Sequence, residues 1–259
     1  MPTAENQLVA GLPRGDRIRL KALCEPVHLQ PEQVLGEPGH ATSHVYFPID
    51  SFISLIARVD PLHGLEVGIA GREGMLGAHL ALGVSREPLQ LLVRGSGSAW
   101  RIAAAPFREE LVRSPALAVC VHRYLYVAML QRATLAACLR FHEIGPRLAR
   151  WLLMSQDRAH ANQFAATQEF VAMMLGVRRV GVTAAAGVLQ KRGLIEYHRG
   201  EMKIVDRAGL EAASCTCYKS DLAASAVTMG SKLQGGEPTA PGAVADAADA
   251  AAAAEGSDG

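Results

Sequence analysis

From about Gly36 to Gly97 the apolar residues fall in short runs, each cut off by glycine, proline or aspartate. His44–Phe47, Ser51–Ile56, Leu65–Ile69, Leu89–Val93 and Ala99–Ile102 have the length and residue types of strands. Turn signals at Pro48-Ile49-Asp50, Asp60-Pro61, Gly71, Glu87-Pro88 and Gly95-Ser96-Gly97 separate them. Short strands at this spacing predict an antiparallel sandwich, barrel or roll.

After Ser114-Pro115 the rhythm changes. No Gly or Pro interrupts Ala116 to His142, and the stretch is rich in Ala and Leu, which favour helix. Steps of four and three residues pick out Leu117, Val121, Tyr124, Ala128, Gln131, Leu135 and Cys138. Such a seam fits an ordinary core helix. Its sharper reading is a parallel dimerisation helix, with Leu117, Val121, Tyr124, Ala128, Gln131 and Leu135 at the interface and Gln131 helping to set register. A second helix is expected over Ile144–Arg158, with Pro146 tolerated in its first turn.

Residues 167–193 read TQEFVAMMLGVRRVGVTAAAGVLQKRG. Thr167 is a natural N-cap for a short helix ending near Leu175. Gly176 permits a sharp turn, and a second helix runs from about Arg178 to Arg192, with Gly193 as its stop. Ala172 is small where the two helices cross, and Val182 is apolar where the second meets the first. This is a helix-turn-helix frame. LIEYHRGEMKIV follows, its alternating residues broken by Arg199-Gly200, which reads as a β-hairpin wing. An Arg at the start of a groove-docked helix can hold guanine O6 and N7 together, which points to Arg178 and Arg179. Thr183 suits a phosphate or a thymine methyl, while Lys191, Arg192 and Arg199 suit phosphates.

These residues carry a resemblance. LGVRRVGVTAAAGVLQKRGLI, with HVYFPIDSFISLI and GREGMLG upstream, resembles the Crp–Fnr family of bacterial transcription regulators over about residues 8–218. The resemblance implies an α+β chain with a cyclic-nucleotide-binding-like β-roll over 1–113, a dimerisation helix over 114–141 and a winged helix-turn-helix over 142–220. Beyond it, the Ala/Gly/Asp-rich residues 221–259 lack aromatics and offer no core, so a disordered acidic tail is expected. The resemblance also implies a cytoplasmic homodimer that meets double-stranded DNA and RNA polymerase and no membrane. The residues expected to face DNA are Thr167, Gln168, Arg178, Arg179, Val180, Thr183, Ala184, Lys191 and Arg199. Where family members commonly read bases with an Arg-Glu pair and a further Arg, this chain has Arg179, Val180 and Ala184. Only the first is kept, so a different target sequence is expected.

The family's nucleotide pocket uses a Gly-Glu turn, here within Gly71–Gly77, and a later Arg. Aligning the strand that ends at Ile102 places Glu87 at that Arg. A carboxylate repels a cyclic phosphate, so cyclic AMP is not expected as a ligand and the effector stays unknown. An iron–sulfur cluster is not expected either, because only Cys24 lies near the N-terminus. Cys215-Thr216-Cys217 is too tight for one metal by the common spacings, and His40 and His44 follow Pro38 and Gly39, so no metal or haem is expected.

Composition narrows the field further. The chain has 259 residues, 49% hydrophobic and 20% charged, which suits a globular protein with room for two domains. Its longest apolar run, Tyr124–Leu130, is far short of the roughly 20 residues a membrane span needs. MPTAENQLVAGLPRGD lacks a basic start and an apolar core, so no secretory signal is expected. Five cysteines form no even framework, which suits a reducing compartment. No nucleotide, hydrolase or metalloprotease motif is present, so no enzyme is expected. The rival class is a small-molecule sensor acting on a protein partner, with a vestigial helix-turn-helix. The net charge of +1, taken as an average, argues against a nucleic-acid binder. Its distribution points the other way: residues 114–141 carry three Arg and no acid, and residues 142–220 carry eleven basic against seven acidic side chains. From Asp221 onward one Lys faces six acids.

Overall fold

The computed structural model describes residues 5–60, 63–159 and 162–230. The chain opens with α1 (Gln7–Ala10) and α2 (Arg14–Ala22), followed by seven strands. These are β1 (Glu25–Leu29), β2 (Val34–Gly36), β3 (His44–Pro48), β4 (Phe52–Arg58), β5 (Gly64–Ala70), β6 (Gln90–Gly95) and β7 (Gly97–Ala103). They form two antiparallel sheets, ordered β1-β7-β3 and β2-β6-β4-β5, which close as a roll over Leu29, Ile53, Leu91 and Val93. All five expected strands are present. β1 and β2 carry no clear sequence signal because both lie at sheet edges, where Pro26 is tolerated and little apolar alternation is needed. Asn6 fastens the N-terminus: its amide nitrogen donates to the Pro48 and Gly74 carbonyls at 3.0 and 2.8 Å.

Next come α3 (Ala104–Arg113) and the 27-residue α4 (Pro115–Phe141), about 40 Å long by its rise. Ser114 caps α4 by accepting the Leu117 amide, and Pro115 sits in its first turn. The expected dimer seam does not face outward. Leu117 and Val121 are buried in the chain's own core with Phe47, Met75 and Phe107. Tyr124 donates its hydroxyl to the Met75 carbonyl at 3.0 Å, and Ala128, Gln131 and Leu135 are only partly exposed. The correction has a simple cause: heptad spacing marks an apolar face but not what covers it. Here α3, β5 and a C-terminal helix cover it. The opposite face, Val119, His122, Tyr126, Met129, Ala133, Ala136 and Arg140, repeats the same three-and-four spacing and is exposed throughout.

The C-terminal part runs α5 (Ile144–Ala159), β8 (Gln163–Ala165), α6 (Gln168–Leu175) and α7 (Arg179–Lys191), then β9 (Ile195–His198) and β10 (Glu201–Ile204). It ends with α8 (Arg207–Ala213) and α9 (Cys217–Gly230). The stretch from Asp221 to Gly230, expected as disordered tail, is therefore helix. It is fixed because Asp221 is buried against Arg150, whose Nη2 donates to it at 2.5 Å, and composition alone does not reveal such a partner. The rest of the expected tail lies outside the described residues. Among the described residues, no single helix is long and apolar enough to cross a membrane.

The roll and the C-terminal part share one interior. Phe52, Ile56 and Ile69 of the roll belong to the same core as Leu148, Leu152, Val171, Val182 and Leu189. At that seam Glu66 is buried, accepting from Ser54 Oγ at 2.5 Å and Trp151 Nε1 at 2.8 Å. Burial pushes its carboxyl up to about 7, against the pull of those donors and of Arg158 and Arg94. The folded state thus keeps a proton that the unfolded chain releases near its ordinary value of 4.5. Stability should fall by about 3 kcal/mol as pH rises from about 4.5 to 7. Urea unfolding across that range should show the decline, and Glu66→Gln should remove the Glu66 share of it, leaving that of Glu87, which burial also raises to about 7; an unchanged slope in the variant would remove Glu66 as a source.

Candidate nucleic-acid interface

Thr167 stands at the N-cap of α6, its hydroxyl accepting the Phe170 amide at 3.2 Å. The helix ends at Gly176, whose φ of +62° is open to glycine at little cost and strained for other residues. A side chain there would also press on Leu65 of the roll, 3.0 Å away. α7 then leaves at 106° to α6, within the range of a helix-turn-helix. Val182, Ala186 and Leu189 bury one face of α7, as spacing of four and three requires.

That packing decides what α7 shows to solvent. Arg178 occupies the N-cap position without a side-chain capping bond, Arg179 is the first residue of the helix, and Val180, Thr183 and Ala184 are exposed beside them. Val180 is 73% exposed, a large apolar side chain with no core to enter. Gly187 lies further along, with open space where a Cβ would point, and sequence reasoning does not single it out. Its place seven residues after Val180 is the available signal. Lys191 ends the helix, exposed. Thr183 is less free than expected: its hydroxyl donates to Gln168 Oε1 at 2.7 Å and lies 3.1 Å from the Arg179 carbonyl. Gln168 and Thr183 therefore form one hydrogen-bonded unit joining the two helices.

The wing is a three-stranded sheet, β8-β10-β9, rather than a two-stranded hairpin. Arg199 and Gly200 form its tip with φ of +49° and +85°, the pair of positive angles that a tight two-residue hairpin turn uses. Arg199 is exposed at that tip. Thus eight of the nine predicted DNA-facing residues are exposed on α6, α7 or the wing, and Gln168 is half-buried beside them.

The nucleotide-type turn of the roll is occupied by the chain itself. Arg158 of α5 lies against Gly71, where its Cβ would be 2.8 Å from an added methyl, and pairs with Glu73 at 2.8 Å. Tyr124 covers Gly74 in the same way. Glu87 is buried, which pushes its carboxyl up to about 7. A separate cleft of about 440 Å³ opens between α1, α4 and α9, with Glu73, Arg123, Gln131 and Ser225 among its walls. Four side chains that the sequence does not group, Cys138, His142, Cys215 and Cys217, converge where α4 ends and α9 begins.

Residues 146–213 match the family of Crp-like helix-turn-helix domains. None of the curated proteins matches the chain in sequence. Among solved structures, a Crp/Fnr-family regulator from Eubacterium rectale superposes with a TM-score of 0.63 at 16% identity, covering 81% of this chain and 99% of that one. A Crp/Fnr-family regulator from Thermus thermophilus gives 0.61 at 20% identity, over 73% and 98%. The c-di-GMP-responsive global regulator CLP of Xanthomonas campestris gives 0.61 at 18% identity, over 74% and 99%. Residues 146–213 are thus similar to Crp-like helix-turn-helix domains. The chain as a whole has the fold of Crp/Fnr regulators, a β-roll joined by a long helix to a winged helix-turn-helix.

Proposed function

We propose that the chain is a sequence-specific regulator of transcription that binds double-stranded DNA as a homodimer. The observation that carries this is the solvent face of α7, where Arg178 and Arg179 stand exposed at the helix start, while Arg199 is exposed at the wing tip. α7 would enter the major groove N-terminus first, with Arg179 on a base edge and Arg199 and Lys191 on phosphates. Val180 and Ala184 offer apolar contact to a thymine methyl and no charge to guanine. The second copy joins along the outer stripe of α4, through Val119, Tyr126, Met129 and Ala133. Two α7 helices about 34 Å apart then require an imperfect palindrome as operator.

Cyclic AMP is not the effector on this reading. Its turn is filled by Arg158 and Tyr124, and the family resemblance aligns the buried Glu87 with the arginine that would meet the phosphate. Footprinting on the protein's own promoter region, with selected fragments as further targets, tests the whole proposal. Absence of any protected palindrome would overturn it. Arg179→Ala should lose discrimination at one base pair per half-site, worth about 1–3 kcal/mol. Equal loss on every sequence would assign Arg179 to phosphates instead.

A further inference from the structure

We propose that Cys138, His142, Cys215 and Cys217 bind one zinc ion, a Cys₃His site that ties the end of α4 to the junction of α8 and α9. Their ligand atoms all lie within 4.8 Å of one another. Cys138 and Cys215 bring their sulfurs to 3.6 Å, and Cys217 Sγ stands 3.5 Å from His142 Nδ1. Zinc bonded to sulfur at about 2.3 Å and to nitrogen at about 2.05 Å demands nearly these separations. A regular tetrahedron puts sulfurs about 3.8 Å apart and sulfur about 3.6 Å from nitrogen. One ion fits this spacing. A four-iron cluster takes one thiolate at each corner of a cube and holds its sulfurs farther apart.

Local structure explains why the four meet. Cys138 and His142 are one turn apart at the end of α4, the His142 amide donating to the Cys138 carbonyl at 3.1 Å. Cys215 precedes α9 and Cys217 opens it, with the Tyr218 amide donating to the Cys215 carbonyl at 3.1 Å. The Cys-x-Cys pair reads as too tight for one metal by the common spacings, but in the fold it meets Cys138 and His142, more than seventy residues earlier. All three thiols are buried, and none of them forms a disulfide.

The surroundings favour a charged thiolate site over a packed cluster of neutral thiols. Three thiolates, one neutral imidazole and Zn²⁺ carry a net charge of −1. Arg147 and Arg150, both buried, lie close enough to feel charge on Cys138 and Cys215. Soft thiolate donors in a closed tetrahedral set select zinc over magnesium or calcium. Binding releases the protons of the three thiols and involves no change of oxidation state.

The test uses the full chain, purified under reducing conditions, stripped with a chelator and titrated with Co²⁺ and then Zn²⁺. One Co²⁺ per chain should bind, with tetrahedral ligand-field bands and thiolate-to-cobalt charge transfer, and one equivalent of Zn²⁺ should bleach both. Cys215→Ser should lose the stoichiometric ion, whereas Cys24→Ser should keep it. Because a serine at 215 also alters a buried cluster, His142→Ala supplies a second readout. It should retain charge transfer from three thiolates while its ligand-field bands shift. Bands of oxygen-ligated octahedral cobalt, no stoichiometric ion, or equal losses in the 24 and 215 variants would overturn the site. So would a Cys138–Cys215 disulfide recovered from anaerobically prepared protein. None of these readouts involves DNA, so their failure would leave the proposed function standing.

Discussion

Asp221→Ala should destabilise the protein by about 3–5 kcal/mol, although the residue sits in a stretch that looks like the start of a solvated tail. Arg150 Nε and Nη2 both donate to Asp221 Oδ2, at 3.2 and 2.5 Å, and both side chains are buried. Removing the carboxylate leaves a buried guanidinium without its hydrogen-bonded counter-charge, and arginine does not escape by losing its proton. The remedy available to the chain is to expose Arg150, which means lifting α9 from α5. Denaturant unfolding reads the loss directly. A change under 1 kcal/mol would place α9 outside the cooperative fold. Lys219→Ala, two residues earlier and exposed, is the matched control.

The second large effect is expected at the outer face of α4. Met129→Glu should convert a dimer to monomers in sedimentation, with Tyr126→Glu acting likewise. The two side chains are 57% and 49% exposed in the single chain, so neither change disturbs its own core. A carboxylate at the centre of a symmetric seam meets its own copy across the axis and must lose water without a partner. Operator affinity should then fall about 100-fold or more, because the second half-site loses its tethered partner. Val121→Glu separates the two faces: it should unfold the chain, since Val121 lies in the interior with Phe107. Dimers that survive Met129→Glu would move the interface elsewhere.

The contrast between Val121 and Met129 shows what is legible in the sequence. A helix rich in alanine and leucine has apolar positions around much of its circumference, so more than one three-and-four register fits it. The existence and ends of α4 are readable within a residue, while the covering of each face depends on elements far away in the chain. The helix-turn-helix is clearer because its constraints are local. Thr167 as cap, Gly176 in a left-handed turn and Val182 on the crossing face sit within sixteen residues of one another. The cysteine and histidine cluster lies at the other extreme. Cys138 and Cys215 are 77 residues apart, and nothing short of the fold brings them to 3.6 Å. Asp221 belongs with them, since its partner Arg150 lies 71 residues upstream.

The interior shared by the roll and the C-terminal part has a consequence for how the molecule comes apart. Phe52, Ile56 and Ile69 complete the core around Leu148 and Val171, so neither part closes its apolar surface alone. Local opening of the β4–β5 hairpin uncovers α5 and α6 in the same event, and the two behave as one cooperative unit. A ligand that tightened the roll would therefore raise the cost of loosening α6 and α7 without any moving linkage between them. In such a chain, events on the roll and on α7 would be coupled through stability itself.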